Sequence, residues 1–421
     1  MKNNLYLIAG VRTPFCRAGS ALAGLDAVEL GRTAVSALLT KTGIDPHVVD
    51  ETILGCVGQP PQAQNVARVI ALRAGLPQDR PAFTVHRNCA SGLEAITTAH
   101  ARLCAGQGEV FIVGGVESMS QMPLFFSQRA AEKFGAVARS RSFGQRASAM
   151  AAFRPADFAP LIGLQLGLTD PVSGLNMGQT AEVLAREFGI TREMQDAFAL
   201  RSHLRASTAG KLNEIIPVLT DAGAVTEDNG IRPGSTLEKL AMLPPLFEKS
   251  HGTVTAGNSS QITDGAVALL VASEEKVNQL GIEPLGRLVD YTATGCDPKR
   301  MGLGPVTAID KVLHRAGRKL SDFDVVEINE AFATQVLAVL KAMADPASAR
   351  RCGLEEPLGE IDPTRLNARG GSIALGHPVG ATGARLVLSA LDQLKQTNQS
   401  RALVSLCVGG GQGVAAILER P

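Results

Sequence analysis

Residues 86–96 read HRNCASGLEAI, where a short apolar run meets a turn of small residues and then a helical segment. Cys89 lies at this junction. A thiol there faces the unpaired N–H groups and the positive dipole end of the helix, which favour the thiolate. The stretch predicts a nucleophilic cysteine at an element end of an α/β fold. A buried, inert cysteine is the alternative and is the commoner role of an isolated cysteine.

Two glycine-rich turns near the C-terminus favour the nucleophile. GGSIALGHPVGATG at 370–383 contains His377, and SLCVGGGQG at 405–413 places Cys407 at the end of a strand-like run. A nucleophilic thiol, a possible base and a second acid/base thiol therefore all lie at element ends.

The chain alternates short β-rich runs with alanine-rich helical stretches, which predicts an α/β fold with a buried sheet. The pattern returns in the second half. HVVDETILGC at 47–56 is similar to DFDVVEINEA at 322–331, and VFIVGGVES at 110–118 is similar to LVSLCVGGG at 403–411. Two related halves would bring Cys89 and His377 together.

A long insertion interrupts this pattern between residues 122 and 257. Such insertions are usually functional. Two interpretations stay open: a solvated, partly helical segment that packs on its own domain, and a lid whose basic groups meet phosphates or a partner surface. The basic side chains of its first part are Arg129, Lys133, Arg139, Arg141, Arg146 and Arg154.

Composition indicates an intracellular enzyme. The 421 residues carry a formal charge of +1, are 45% hydrophobic and include no run of basic residues, so nucleic acid is not an expected partner. The start lacks a signal peptide and no segment is long enough to span a bilayer, which predicts a cytoplasmic location. Seven cysteines without a CxxC pair, and dispersed histidines, predict free thiols and no metal site.

Six motifs together resemble those of thiolases, in the family's order and along essentially the whole chain. They are NCASG around Cys89, GGVESMS at 114–120, GTVTAGNSS at 252–260, NEAFA at 329–333, GHPVGATG at 376–383 and CVGGGQG at 407–413. The resemblance implies a five-layered αβαβα fold built from two similar halves with an inserted lid. The implied divisions are 1–121 with 258–281, 122–257 and 282–421.

The resemblance also implies a two-step, reversible acyl transfer on coenzyme A thioesters. Cys89, deprotonated with help from His377, would attack the keto carbon of a 3-ketoacyl-CoA, and Cys407 would protonate the departing acetyl-CoA enolate. Coenzyme A would be the co-substrate, with no permanently bound cofactor. Asn329 would fix a water at the enolate oxygen, and the N–H groups of Cys89 and Gly409 would hold the acyl-enzyme oxygen. A helix cap for Asn329 and a simple tight turn at Gly409 are the structural alternatives.

Further residues are assigned by the same resemblance. Arg232 and Ser260 fall on coenzyme A-contacting positions, while Asn176, Met177 and Phe332 fall near the substrate. Asn176 in NMGQTAE, where short-chain biosynthetic thiolases commonly have His, favours the degradative branch of fatty-acid oxidation. Implied partners are a second copy or a tetramer, and a hydratase/dehydrogenase subunit.

Alternative functions remain. A biosynthetic acetyl-CoA acetyltransferase would run the same chemistry toward acetoacetyl-CoA. A non-catalytic acyl-CoA or lipid carrier is expected to have lost reactive groups, whereas Cys89, Asn329, His377 and Cys407 are all present. A ketosynthase would pair its cysteine with two histidines, and a cysteine hydrolase would have to favour water over coenzyme A.

Overall fold

The computed structural model describes residues 4–210 and 212–420. Within these ranges the strands are β1 Leu5–Arg12, β2 Cys16–Arg17, β3 Glu51–Gly55, β4 Ala82–Val85, β5 Val110–Ser118, β6 Leu124–Phe125, β7 Leu161–Ile162, β8 Val218–Thr220, β9 Gly223–Val225, β10 Thr263–Ser273, β11 Gly286–Gly295, β12 Val325–Ile328, β13 Arg401–Val408 and β14 Gln412–Glu419. The α-helices are α1 Ala27–Thr42, α2 Val66–Arg73, α3 Ser91–Cys104, α4 Gln128–Arg139, α5 Phe143–Ala151, α6 Gly163–Gly167, α7 Met177–Phe188, α8 Arg192–Thr208, α9 Leu237–Ala241, α10 Glu274–Leu280, α11 Gly304–Ala316, α12 Ala333–Ala344, α13 Pro346–Arg351, α14 Ser372–Leu375 and α15 Val379–Thr397.

The central sheet is mixed and has two similar halves. Its order is β12-β13-β14-β11-β1-β10-β5-β3-β4, with β2 beside β10. In the first half β3 runs parallel to β5, and β5, β10 and β1 are antiparallel neighbours. In the second half β12 runs parallel to β13, and β13, β14 and β11 are antiparallel neighbours. The predicted correspondence of β3 and β5 with β12 and β13 is confirmed.

Three buried apolar clusters define the layers. One cluster lies between the strands of both halves and contains the inward faces of α3 and α15. A second lies under α1 and α2 on the outer side of the first half. The third lies under α11 and α12 on the outer side of the second half. The layers are therefore α1 with α2, the strands of the first half, α3 with α15, the strands of the second half, and α11 with α12. This is the predicted five-layered arrangement.

The two central helices meet at their N-terminal ends. A Cβ atom on Gly383 of α15 would lie 2.5 Å from the backbone nitrogen of Leu93, and one on Gly92 of α3 would lie 2.8 Å from the nitrogen of Ala384. Only glycine permits this approach. Because Cys89 precedes α3 and His377 precedes α15, the packing places both residues at one end of the central layer.

By compactness the chain divides into one unit of Met1–Gln121 with Asp170–Pro421 and a second of Met122–Thr169. Residues 170–257 belong to the first unit, where Leu184 and Phe198 lie in the same buried cluster as α11 and α12. The functional extent of the predicted insertion, 122–257, stays a prediction.

The unit of residues 122–169 carries a cluster of aromatic rings that is largely exposed. Phe134 contacts the rings of Phe126, Phe153 and Phe158 at centroid separations of 5.3, 4.9 and 6.2 Å. Strands β6 and β7 pair in antiparallel fashion, and α4 contacts α5. The aromatic contacts therefore join α4 to the segments before it and after α5.

Candidate active site

Cys89 lies in a tight turn between β4 and α3. Backbone N–H groups of Ala90 and Ser91 donate to the carbonyl oxygens of Arg87 and Asn88, and Asn88 adopts a left-handed φ of 42°. The Ser91 hydroxyl also donates to the Asn88 oxygen, at 2.7 Å. Since α3 begins at Ser91, the half-buried Cys89 lies just before the helix, as the sequence predicts.

The surroundings of the Cys89 thiol favour its neutral form. Burial raises the pKa of Cys89, and the charge of Glu117 adds to the increase. Backbone N–H groups of Gly409 and of Cys89 itself donate toward the sulfur and oppose the shift. Lost hydration therefore favours the neutral thiol, against the thiolate that the helix terminus is predicted to favour. Attack requires a base that takes the proton.

His377 is the base that the sequence predicts, and its role toward Cys89 stays a prediction. Its Nδ1 lies 2.7 Å from the Thr382 hydroxyl, which donates its own proton to the Pro378 oxygen at 3.0 Å. The hydroxyl must accept from His377, so Nδ1 carries the ring proton and Nε2 is free to accept one. Burial, and then the charge of Arg385, lowers the pKa of His377 to about 3, which keeps the resting imidazole neutral.

Asn329 is held beside His377 by a chain of hydrogen bonds. Its Nδ2 lies 3.4 Å from His377 Nε2, and its Oδ1 accepts the Ser372 hydroxyl proton at 2.7 Å. Arg385 donates to the same hydroxyl and forms a buried ion pair with Glu327. The helix-cap alternative for Asn329 is wrong, since α12 begins only at Ala333 with Phe332 as its cap.

Cys407 lies near the end of β13 in a pocket of apolar side chains. Burial raises the pKa of Cys407 well above its usual range, and the neighbouring Cys89 thiol adds to the increase. A neutral thiol at this position can donate a proton to a carbanion. The apolar side chains clustered with it are Met177, Ala181, Phe247, Val254, Met301, Ala331 and Phe332.

The glycines after Cys407 form the turn between β13 and β14. Gly410 and Gly411 have φ angles of 88° and 81°, which an L side chain rarely adopts. The tight-turn interpretation therefore holds, and the Gly409 N–H also points at the Cys89 sulfur. The same turn therefore follows the Cys407 thiol and supplies the Gly409 N–H that points at Cys89.

Glu330 supports the segment before His377. Its buried carboxylate accepts the Ser202 hydroxyl at 2.6 Å, the Asn367 amide at 2.8 Å and the Ile373 N–H at 3.3 Å. These contacts tie α8 and the NEAFA loop to α14. The structure therefore gives Glu330 a position behind the glycine-rich turn, without a hydrogen bond to His377.

The two residues predicted to contact coenzyme A lie in different surroundings. Arg232 is exposed, and its backbone N–H donates to Nδ1 of the buried His203 at 3.3 Å. Ser260 is half-buried, and its backbone N–H donates to the Ala331 oxygen at 2.9 Å. This bond joins the GNSSQ and NEAFA motifs beside Cys407. The ligand contacts of Arg232 and Ser260 stay predictions.

The residues predicted to meet the acyl substrate are Met177, Phe332 and Asn176. The first two lie in the cluster around Cys407. Asn176 caps α7, accepting the Gln179 N–H at 2.9 Å while Gln179 returns a bond to the Asn176 N–H. The structure gives this side chain a capping role, and its substrate contact stays a prediction.

The sequence did not single out several residues that shape the site. Thr382 fixes the His377 tautomer, Ser372 and Arg385 orient Asn329, and Asn88 contacts Gly409. Glu117 accepts N–H groups from Val57, Gly58 and Gly380, and burial raises its pKa to about 7. Asn88, Glu117 and Thr382 lie within the six motifs, whereas Ser372 and Arg385 lie outside them and act through contacts distant in sequence.

Metal-binding clusters and membrane-spanning helices were sought in residues 4–210 and 212–420. No group of three or more His, Cys, Asp or Glu side chains in these ranges could hold a metal ion. No helix there has the length and apolar character required to cross a membrane. All seven cysteines fall within the described ranges and are free.

A half-buried thiol beside a glycine turn, a second buried thiol just before that turn and a neutral imidazole at the same end of the central layer are the groups expected of an acyl-transfer enzyme with a cysteine nucleophile. The chain matches the family descriptions "Thiolase, N-terminal domain" over residues 5–275 and "Thiolase, C-terminal domain" over residues 282–420. It belongs to the thiolase family and is an acyltransferase. The resemblance inferred from the six motifs is confirmed.

Curated relatives and solved structures with thiolase or acyltransferase names match the chain along its whole length. A 3-ketoacyl-CoA thiolase of Yersinia enterocolitica is 39% identical over 427 residues, 99% of this chain and 97% of the relative. A probable acetyl-CoA acyltransferase of Staphylococcus aureus is 40% identical over 425 residues, 99% of each. The human mitochondrial 3-ketoacyl-CoA thiolase in complex with CoA is 37% identical with a TM-score of 0.85, covering 100% of this chain and 98% of that one. A Bacillus anthracis acetyl-CoA acetyltransferase is 37% identical with a TM-score of 0.86, covering 100% and 99%.

Proposed function

We propose that this thiolase cleaves 3-ketoacyl-CoA with coenzyme A, giving acetyl-CoA and a shortened acyl-CoA through an acyl-Cys89 intermediate. The observation that carries the proposal is that Cys89 and Cys407 both adjoin the Gly409 turn, while His377 precedes α15, whose N-terminal part packs against that of α3 directly after Cys89. Both thiols are neutral at rest and the imidazole can accept a proton, which are the states the first step requires.

In the first half-reaction His377 Nε2 takes the Cys89 proton as the sulfur attacks the keto carbon. The bond between the α-carbon and that carbon breaks, and its electron pair leaves as the acetyl-CoA enolate. Cys407 gives its proton to the α-carbon, which releases acetyl-CoA and leaves the acyl group on Cys89. The raised pKa of Cys407 ensures that the proton is present before the bond breaks.

In the second half-reaction free coenzyme A gives its thiol proton to the Cys407 thiolate and attacks the acyl carbon. Cys89 leaves as a thiolate and recovers its proton from His377, so both cysteines and the imidazole return to their starting states. The Gly409 and Cys89 N–H groups, which point at the sulfur, would stabilise the acyl-enzyme oxyanion. Asn329 and His377 would act on the enolate oxygen.

Chain length is the finer part of the proposal. The apolar cluster that contains Cys407, Met177 and Phe332 supports an extended acyl chain, and Phe247 packs edge-on against Phe332 at 6.1 Å. The Yersinia relative, a 3-ketoacyl-CoA thiolase, favours the degradative direction. The Bacillus structure, an acetyl-CoA acetyltransferase, favours the alternative of acetoacetyl-CoA synthesis.

Coenzyme A contacts and partners belong to the same proposal. The exposed Arg232 guanidinium is suited to the nucleotide end of the coenzyme, and the half-buried Ser260 to its pantetheine arm. We propose that the chain forms a homodimer or tetramer. We also propose that it binds a hydratase/dehydrogenase subunit. The seven free cysteines support a reducing, cytoplasmic setting.

The test is coenzyme A-dependent loss of 3-ketoacyl thioester absorbance, with acetoacetyl-CoA and 3-ketohexadecanoyl-CoA assayed in parallel. Faster cleavage of the long substrate supports the degradative function. Activity confined to acetoacetyl-CoA would favour the acetyltransferase. No cleavage of either would contradict catalysis and favour the carrier alternative, and cleavage without added coenzyme A would favour a hydrolase.

A further inference from the structure

The turn that carries the nucleophile also holds the glycine turn of the second half. Asn88 Nδ2 donates to the Gly409 oxygen at 2.7 Å, and the Arg87 guanidinium donates to Gln412 Oε1 at 3.0 Å. Two neighbouring side chains therefore donate hydrogen bonds to both ends of the β13–β14 connection. Arg87 is itself anchored by an ion pair with Glu94 of α3.

The backbone around Asn88 fixes the direction in which its side chain leaves the turn. Its φ of 42° is in the left-handed region, which asparagine tolerates better than most residues. Its carbonyl oxygen accepts both the N–H and the hydroxyl of Ser91. The side chain consequently leaves a rigid turn, and the only freedom left is in its own rotamer.

Gly409, whose oxygen accepts the Asn88 hydrogen bond, is also the residue that faces the nucleophile. Gly409 donates its N–H toward the Cys89 sulfur, and no side chain restricts its own torsions. The next two glycines have positive φ angles, and Gly411 is held by a hydrogen bond from the Cys296 N–H at 2.7 Å. A bond to the Gly409 oxygen therefore restrains the same residue whose N–H must meet the developing oxyanion.

We propose that Asn88 is a positioning residue for acyl transfer: its amide holds Gly409 so that the Gly409 N–H stabilises the oxyanion formed at Cys89. The inference rests on the proposed function and deepens it. Asn88 itself touches neither the substrate nor the reacting atoms. Its amide nitrogen is the essential group, because a carbonyl acceptor needs a donor.

Asn88→Asp and Asn88→Gly distinguish this role from a structural one. Both residues tolerate the left-handed turn, but neither donates to the Gly409 oxygen, and aspartate sets a carboxylate against it. Asn398→Asp is the control, because Asn398 has a similar φ of 54° at the end of α15, remote from the site. The readouts are single-turnover acylation of Cys89 by 3-ketohexadecanoyl-CoA, the KM for coenzyme A and thermal stability.

We expect acylation to slow about tenfold or more in both Asn88 variants, the scale of one lost hydrogen bond in the transition state. The KM for coenzyme A and the Asn398→Asp variant should be unchanged. Wild-type acylation by Asn88→Asp would overturn the role of Asn88 alone, since shape would then suffice. Absence of acylation in the unmodified protein would overturn the proposed function, and this inference with it.

Discussion

Burial keeps the three reactive side chains uncharged in the resting site. The pKa of Cys89 and that of Cys407 are raised, while the pKa of His377 is lowered to about 3. Neutral thiols and a neutral imidazole avoid isolated buried charges. The ion pair forms only when the thiol attacks, and the Gly409 N–H then stabilises negative charge.

The first prediction concerns the Cys89 thiol. Because alkylation requires the thiolate and the pKa of Cys89 is raised, its reaction with iodoacetamide in the free enzyme should still be accelerating as pH passes 9. Peptide mapping by mass spectrometry would follow Cys89 and, as an internal reference, the exposed Cys104. A rate that levels off below pH 8 would show that the thiol is ionised at rest.

The second prediction separates the two catalytic thiols. Cys407→Ser should lower thiolysis about a hundredfold or more, because an alcohol is a poor acid for the enolate, yet Cys89 should still be alkylated. Steady-state kinetics and peptide mapping measure the two properties on the same sample. Cys352→Ser, a half-buried thiol that the proposed steps do not use, is the matched control. Full turnover by Cys407→Ser would contradict its role.

At the scale of elements, the site depends on α14 and α15 as well as on its catalytic turns. Ser372 begins α14 and donates to Asn329, while Arg385 on α15 donates to Ser372 and pairs with Glu327 of β12. A buried ion pair of this kind gives little net stability but defines geometry. The helices thereby fix which face Asn329 presents to His377.

The third prediction removes one hydroxyl from this chain. Ser372→Ala should lower kcat about tenfold, since Asn329 loses the bond that fixes its amide, with a small effect on the KM for coenzyme A. Ser389→Ala is the matched control, because that buried hydroxyl on α15 bonds Glu214, away from the site. Equal kcat in the two variants would show that Ser372 serves packing alone.

The sequence predicted the elements better than the contacts between them. The strand repeats, the turn before α3 and the positions of His377 and Cys407 follow from local patterns, and the fold confirms the repeats. The roles of Ser372, Thr382 and Arg385 do not follow, because serine, threonine and arginine occupy many helices without function. Only the meeting of α14, α15 and β12 makes Ser372, Arg385 and Glu327 partners, and only the turn before α15 brings Thr382 to His377. The neutral Cys89 thiol was missed because burial is a property of the whole fold.

At the scale of the whole molecule, buried charges join segments distant in sequence. Arg12 at the end of β1 pairs with Glu214 at 2.6 Å and with Asp228 at 2.7 Å, and all three side chains are almost fully buried. Ser389 of α15 donates to the same Glu214. This network ties the predicted insertion to the strands and helices of both halves.

The fourth prediction concerns acid stability. Burial lowers the pKa of His203 to about 4 and that of His377 to about 3, whereas an unfolded histidine titrates near about 6.5. The unfolded chain therefore binds more protons below that pH, so Tm should fall as pH drops from about 6.5 to 4. His203→Gln should flatten this dependence in calorimetry, whereas replacing the exposed His251 should not. An unchanged slope in His203→Gln would contradict the assignment.

The most direct measurement is the intact mass of the protein after rapid quenching with 3-ketohexadecanoyl-CoA in the absence of free coenzyme A. We predict a tetradecanoyl adduct on Cys89 that disappears when coenzyme A is added, and no adduct in Cys89→Ser, because an alcohol is a far poorer nucleophile. An unmodified wild-type protein with both this substrate and acetoacetyl-CoA, or an adduct that persists in Cys89→Ser, would contradict acyl transfer through Cys89.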